Sequence, residues 1–169
     1  PFVFARDGEI WMLPEQAVAG GLDLYRCRRF PDQWTVEARL MDGRFHDATL
    51  FEHGGRLWIA AGTEAYQSST WDTLALFYAD SLRGPWTAHP LNPVVMDARS
   101  ARPAGPLWHA ADGTLLRPAQ DCTGGYGSRL TINRIVELTP STFREEPVGT
   151  VAFAAKSGLL GPHTLVRAA

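Results

Sequence analysis

Apolar residues along this 169-residue chain fall in runs of four to eight, cut by glycine and proline, and one run pattern is written three times. Phe4 to Pro14 holds an apolar run, a turn ending in Gly8 and a second apolar run. Phe51 to Ala61 repeats it around Gly55, and Trp108 to Pro118 around Gly113. A third short run follows each copy: Leu22 to Arg26, Leu74 to Tyr78 and Leu130 to Arg134. Each unit then closes on an aromatic residue after a turn, at Trp34, Trp86 and Phe143. The turn glycines are 47 and 58 residues apart, and the closing aromatics follow them by 26, 31 and 30. Periods of this size mark an array of supersecondary units, and four short strands per unit mark the blades of a β-propeller.

No window keeps an i, i+3, i+4, i+7 apolar stripe over three turns, so the expected class is all-β. Strands are expected at about 2–5, 9–14, 22–29 and 34–40, then 48–53, 56–62, 73–80 and 86–89, then 105–110, 114–118, 129–138 and 143–148. Middle strands such as Leu57-Trp58-Ile59-Ala60-Ala61 are apolar on both faces, as a strand inside a stack of sheets must be. A two-sheet sandwich would instead alternate apolar and polar residues cleanly. The blade units run about 1–43, 44–101 and 102–150, with 151–169 starting a further blade. Three blades do not close a ring, since the smallest propellers have about four. We therefore expect a partial propeller, completed by further blades, an adjoining domain or another chain.

Composition changes this picture little: 45% hydrophobic and 20% charged residues are ordinary for a globular domain. A net charge of −2 gives no electrostatic footprint for nucleic acid. No apolar run approaches the ~20 residues of a membrane span. Cys27 and Cys122 sit at non-equivalent places in their repeats and read as two buried free thiols. His46, His53, His89, His109 and His163 lack ligand spacing, so no metal and no cofactor is expected.

Several longer motifs carry a resemblance. They are Trp11-Met12-Leu13-Pro14-Glu15, Phe77 to Trp86 with its Arg83-Gly84-Pro85-Trp86 ending, His89 to Val94, Arg102-Pro103-Ala104-Gly105 and Arg117-Pro118-Ala119-Gln120-Asp121. Over nearly its whole length the chain resembles the N-terminal domain of the plant glucosamine inositolphosphorylceramide transferases. Similar bacterial domains occur beside formyltransferase-like modules. That domain is in turn similar to the five-bladed propellers of the arabinanase, levansucrase and invertase superfamily. The resemblance implies roughly the second to fourth blades of five. In the plant proteins glycosyl transfer is attributed to a separate domain, so the family name does not make this domain a transferase.

Cleavage of a glycosidic bond needs two carboxyl groups, one to protonate the leaving oxygen and one to activate water or attack. The resemblance places Asp47, in Phe45-His46-Asp47-Ala48, where the propeller enzymes carry an acidity-tuning Asp, and makes it the candidate catalytic residue with His46 beside it. Its alternative is a turn Asp satisfying nearby amides. Where those enzymes open a strand with Glu-Gly-Pro, this chain has Ala104-Gly105-Pro106, so the proton donor is absent. Glu15 and Asp121 end second strands and serve either a ligand or local backbone groups. Arg102, Arg117, Gln120, Asp121 and Tyr126 form a polar cluster that suits sugar hydroxyls, carboxylates or phosphates. An inter-blade hydrogen-bond network is the structural alternative. Trp71 reads either as a sugar-stacking platform or as a loop anchor.

Three functions stand at this point. The first is a carbohydrate- or glycolipid-recognition propeller of a glycan-modifying protein, with a sugar or sugar phosphate as ligand and no hydrolytic acid of its own. The second is an active glycoside hydrolase or a glycosyl- or phosphoryl-transfer enzyme of the five-bladed type. The third is a protein-interaction propeller, since fold alone does not fix function.

Overall fold

A computed structural model describes residues 1–65, 67–125, 127–152 and 161–166. Three antiparallel sheets follow one another along the chain. The first holds β1 (Phe2–Arg6), β2 (Glu9–Leu13), β3 (Gly21–Arg29) and β4 (Gln33–Asp42) in sequential order. The second holds β5 (Phe45–His53), β6 (Arg56–Thr63), β7 (Thr73–Ala79) and β8 (Thr87–Ala88), with β9 (Val95–Met96) also on β7. The third holds β10 (Trp108–His109), β11 (Leu115–Asp121), β12 (Arg129–Leu138) and β13 (Phe143–Val151). Among the described residues the one helical element is a 3₁₀ turn at Ala17–Ala19.

The repeat glycines sit where the sequence sets them. Arg6 pairs with Glu9 and His53 with Arg56, leaving two-residue turns at Asp7-Gly8 and Gly54-Gly55. All four turn residues have positive φ, which a tight hairpin requires at both central positions. The Trp three residues beyond each turn donates its indole N–H back across it, Trp11 to the Arg6 carbonyl and Trp58 to the His53 carbonyl. These two tryptophans are equivalent members of the repeat.

Strand β6 shows why its sequence carries no polar face. Leu57, Ile59 and Ala61 enter a core with Trp11, Leu13, Leu22 and Leu24 of the first sheet. Trp58 and Ala60 point the other way, into a core with Ala101, Leu115 and Leu138 on the third-sheet side. Side chains alternate across a strand, so an all-apolar run divides cleanly between two interfaces. Full burial of a residue such as Ile59 is worth about 1.5–3 kcal/mol, and Ile59 has no exposed surface.

Two expectations shift. The inner strand expected at 48–53 begins at Phe45, and its register slips between His46 and Thr49, where β5 carries one residue more than β6. The inner strand expected at 105–110 shrinks to Trp108–His109, preceded by an isolated bridge from Pro103 to Ala119. Pro106 has no N–H to give a ladder, and Gly105, at φ +106, turns the chain away. Of the expected start of a further blade at 151–169, residues 153–160 and 167–169 lie outside the described residues. Residues 161–166 run beside the same inner segment, where the Leu165 N–H donates to the Ala104 carbonyl at 2.8 Å. Cys122 is buried, whereas Cys27 is half-buried.

Candidate functional site

The inner edges of all three sheets converge on one cavity of about 340 Å³. Phe2 and Glu15 line it from the first sheet, Asp47 and Thr49 from the second, Pro103 and Pro106 from the third, and His163 and Thr164 from the tail.

Asp47 owes its position to the irregularity in β5. A bulge re-aims the side chains at and beside it, and Asp47 occupies the left-handed region at φ +49. For a residue other than glycine that conformation costs of order 1–3 kcal/mol and persists where the surroundings impose it. Three groups do so here. The Arg102 Nε–H donates to Asp47 Oδ2 at 2.6 Å, and Gln120 Nε2 donates to the same oxygen at 3.1 Å and to the Pro103 carbonyl at 2.9 Å. The backbone N–H of Asp47 donates to Glu15 Oε2 at 2.8 Å. The other carboxylate oxygen, Oδ1, is 3.9 Å from Nε2 of His163, which lines the same cavity.

His46 stands behind this turn, 8% exposed, with a carboxylate on each ring nitrogen. Nδ1 is 2.7 Å from Glu15 Oε1, and Nε2 is 2.9 Å from Glu64 Oε1. A neutral ring has one N–H and would turn a lone pair on the second carboxylate, so the doubly protonated ring fits both. The hydrogen bond to Glu15 holds the His46 pKa above its ordinary value, with help from Glu64, while burial and the Arg102 charge oppose. Burial pushes the Glu15 carboxyl up, but the bonds from His46 and the Asp47 amide outweigh it and hold it below the usual range. Arg44 completes the chain by donating to Glu64 Oε2 at 2.9 Å.

The remaining residues singled out from sequence lie elsewhere. Arg117, 1% exposed, pairs with Glu145 of β13 through Nε at 2.8 Å and Nη2 at 2.5 Å, and gives Nη2 also to the Ser100 carbonyl at 2.6 Å. That network joins strands of one sheet to the segment before it. Asp121 accepts from the Thr123 amide and hydroxyl and pairs with Arg129 at 3.1 Å, closing the β11–β12 hairpin. Tyr126 lies outside the described residues. Trp71 is 39% exposed in its loop, where its backbone N–H donates to Ser69 Oγ. Among the described residues no group of three His, Cys, Asp or Glu is placed to hold a metal ion.

Glu64 and Thr70 carry no motif in the sequence, and His163 stands there only as a histidine without ligand spacing. The β5–β6 hairpin was a signal for Glu64, because its register brings Phe45 opposite Thr63 and so sets Glu64 near the start of β5. Thr70 Oγ1 accepts a long bond from Arg102 at 3.4 Å across 32 residues, and no local pattern announces it.

A family described as "Glucosamine inositolphosphorylceramide transferase 1, N-terminal" matches residues 1–159. Glucosamine inositolphosphorylceramide transferase 1 of Oryza sativa subsp. japonica is 36% identical over 161 residues, which is 94% of this chain and 22% of the relative. Among solved structures, an exo-beta-1,3-galactanase from Clostridium thermocellum superposes with a TM-score of 0.64 at 13% identity, over 85% of this chain and 32% of that one. A GH43_1 enzyme from Xanthomonas citri complexed with xylose gives 0.62 at 13% identity, over 88% and 54%. These likenesses give the fold as part of a five-bladed propeller. The chain spans about a fifth of the length of the curated relative it matches.

Proposed function

This chain belongs to the glucosamine inositolphosphorylceramide transferase N-terminal family, and on that basis we propose that it is the carbohydrate-recognition propeller of a glycan-modifying protein. One observation carries the reading: a cavity where the inner edges of three sheets meet, into which a bulge in β5 turns the carboxylate of Asp47. Arg102 and Gln120 hold one of its oxygens, so the group is set in place before any ligand arrives. A fixed carboxylate beside Glu15 and Thr49, with the apolar walls of Phe2 and Pro106, suits a ring that presents hydroxyl donors on one edge and C–H groups on its face. Arg102 orients Asp47 in this reading, and Asp47 accepts the hydroxyl hydrogen bonds.

Ala104 supports binding without hydrolysis. Its methyl group is buried, its N–H is spent on the Pro118 carbonyl, and it has no proton to give a leaving oxygen. The transferase activity named for the relatives belongs, in this reading, to sequence outside this chain.

Titration calorimetry with xylose and with β-1,3-galactotriose tests the reading. Saturable binding of one sugar is expected, and Asp47→Ala should weaken it about tenfold to a hundredfold, the equivalent of one hydrogen bond to a charged group at ~1.5–3 kcal/mol. Binding unaltered in a folded Asp47→Ala protein would remove Asp47 from the site.

A further inference from the structure

The network behind the cavity is arranged in series, and its order assigns a role to a residue that does not reach the cavity. Glu15 uses its two oxygens on two adjacent residues: Oε1 on the His46 ring and Oε2 on the Asp47 amide. That amide belongs to the one non-glycine residue of β5 in the left-handed region, and its orientation decides where the Asp47 side chain points. The Glu15 side chain is 41% exposed and stands on a flexible stem two residues past β2, so the ring fixes it in space. The ring is itself clamped from the opposite side by Glu64.

We infer that His46 is a positioning residue: as an imidazolium held between Glu15 and Glu64, it keeps Glu15 on the Asp47 amide and so holds the turn that aims Asp47 into the cavity. This inference rests on the sugar-site reading for its purpose but not for its test. Loss of the ring proton leaves one of the two carboxylates facing a lone pair, and Glu15 is the more exposed of the two, at 41% against 29% for Glu64. The grip on the amide then loosens and the carboxylate of Asp47 gains freedom. The charged groups around His46 are Glu15 after β2, Glu64 after β6, Arg44 behind Glu64, Asp47 and its partner Arg102. Those around Asp47 include a second histidine, His163, at 3.9 Å. The site is therefore expected to be tight at acid-to-neutral pH and looser in alkali.

The test is an NMR titration of the protein with isotope-labelled histidine and aspartate, from about pH 5 to about pH 9, bracketing the ordinary histidine value near 6.5. No sugar is present, so the outcome is separate from whether the cavity binds one. The Asp47 amide proton is expected downfield at low pH and to move upfield with the same midpoint as the His46 ring carbon. In His46→Gln, which can donate to one carboxylate but cannot titrate, that amide should lose its pH dependence over this range. A wild-type Asp47 amide that stays still while His46 titrates would overturn the inference. So would an unchanged transition in His46→Gln, which would place its origin outside His46.

Discussion

Arg102 Nε lies 2.6 Å from Asp47 Oδ2, and this bond, with the one from Gln120 to the same oxygen, ties the third sheet to the bulge of the second. Both partners are mostly shielded, with 10% and 21% of their side chains exposed. A bidentate Arg fork is not used on Asp47. Nε serves the carboxylate and Nη1 reaches toward Thr70, so the guanidinium spans the β5 bulge and the loop between β6 and β7. The cavity is thus built on a joint between sheets, and what orients its carboxylate also helps to hold the sheets in register.

Arg102→Ala is expected to cost stability as well as binding. Removing one partner of a buried pair leaves the other charge unpaired, and with Asp47 partly open to water we expect a loss of about 2–4 kcal/mol. Urea denaturation measures it. A midpoint within error of wild type would mean that Asp47 is solvated well enough to stand without its partner.

Arg117→Met should destabilise without touching the site. Arg117 and Glu145 have side chains 1% and 8% exposed, so the substitution strands a buried carboxylate and is expected to cost about 3–5 kcal/mol. Sugar affinity of the folded fraction should match wild type. A folded Arg117→Met protein that no longer binds would return Arg117 to the site.

Stability should fall at both ends of the pH scale through the same pair. His46 has its pKa raised in the fold, so its contribution is complete below the unfolded histidine value and is lost as pH rises through the folded one. Glu15 has its pKa lowered, so its contribution is present above the unfolded glutamate value and disappears as pH falls through the folded one. Urea midpoints of wild type and His46→Gln followed against pH should converge on the alkaline side. Curves that stay parallel into alkali would show that the His46 charge adds nothing to folding.

Ile59→Ala should cost about 2–5 kcal/mol and Trp58→Ala about 3–5 kcal/mol, because each empties a different core. Thermal or chemical unfolding of the two variants checks this. A small loss at either position would mean that its interface is not the packed core described above.

The repeat was legible because it is local. A turn glycine, a run on each side and a closing aromatic lie within about 35 residues of one another, and the sheets follow from them. The two-faced burial of β6 was legible in Leu57 to Ala61 for the same reason. What could not be read is pairing across the array. Nothing near Arg117 distinguishes a ligand-binding arginine from one that meets Glu145 across 28 residues. Asp47, His46 and Glu15 were legible as candidates, yet the bulge that turns Asp47 and the Glu64 clamp on His46 appear once β5 and β6 are in register. The broken inner strand at Ala104-Gly105-Pro106 was read as continuous because its flanks are apolar, although Pro106 removes the donor the ladder needs.

The central question is whether the cavity holds a sugar and leaves it whole. Time-resolved NMR of β-1,3-galactotriose mixed with the protein reads both at once, binding in the broadening of the sugar signals and cleavage in new anomeric resonances. The expected result is broadening that disappears in Asp47→Ala, with the trisaccharide intact throughout. Steady growth of free galactose signals, abolished by Asp47→Asn, would contradict the recognition-only reading and make the domain a hydrolase.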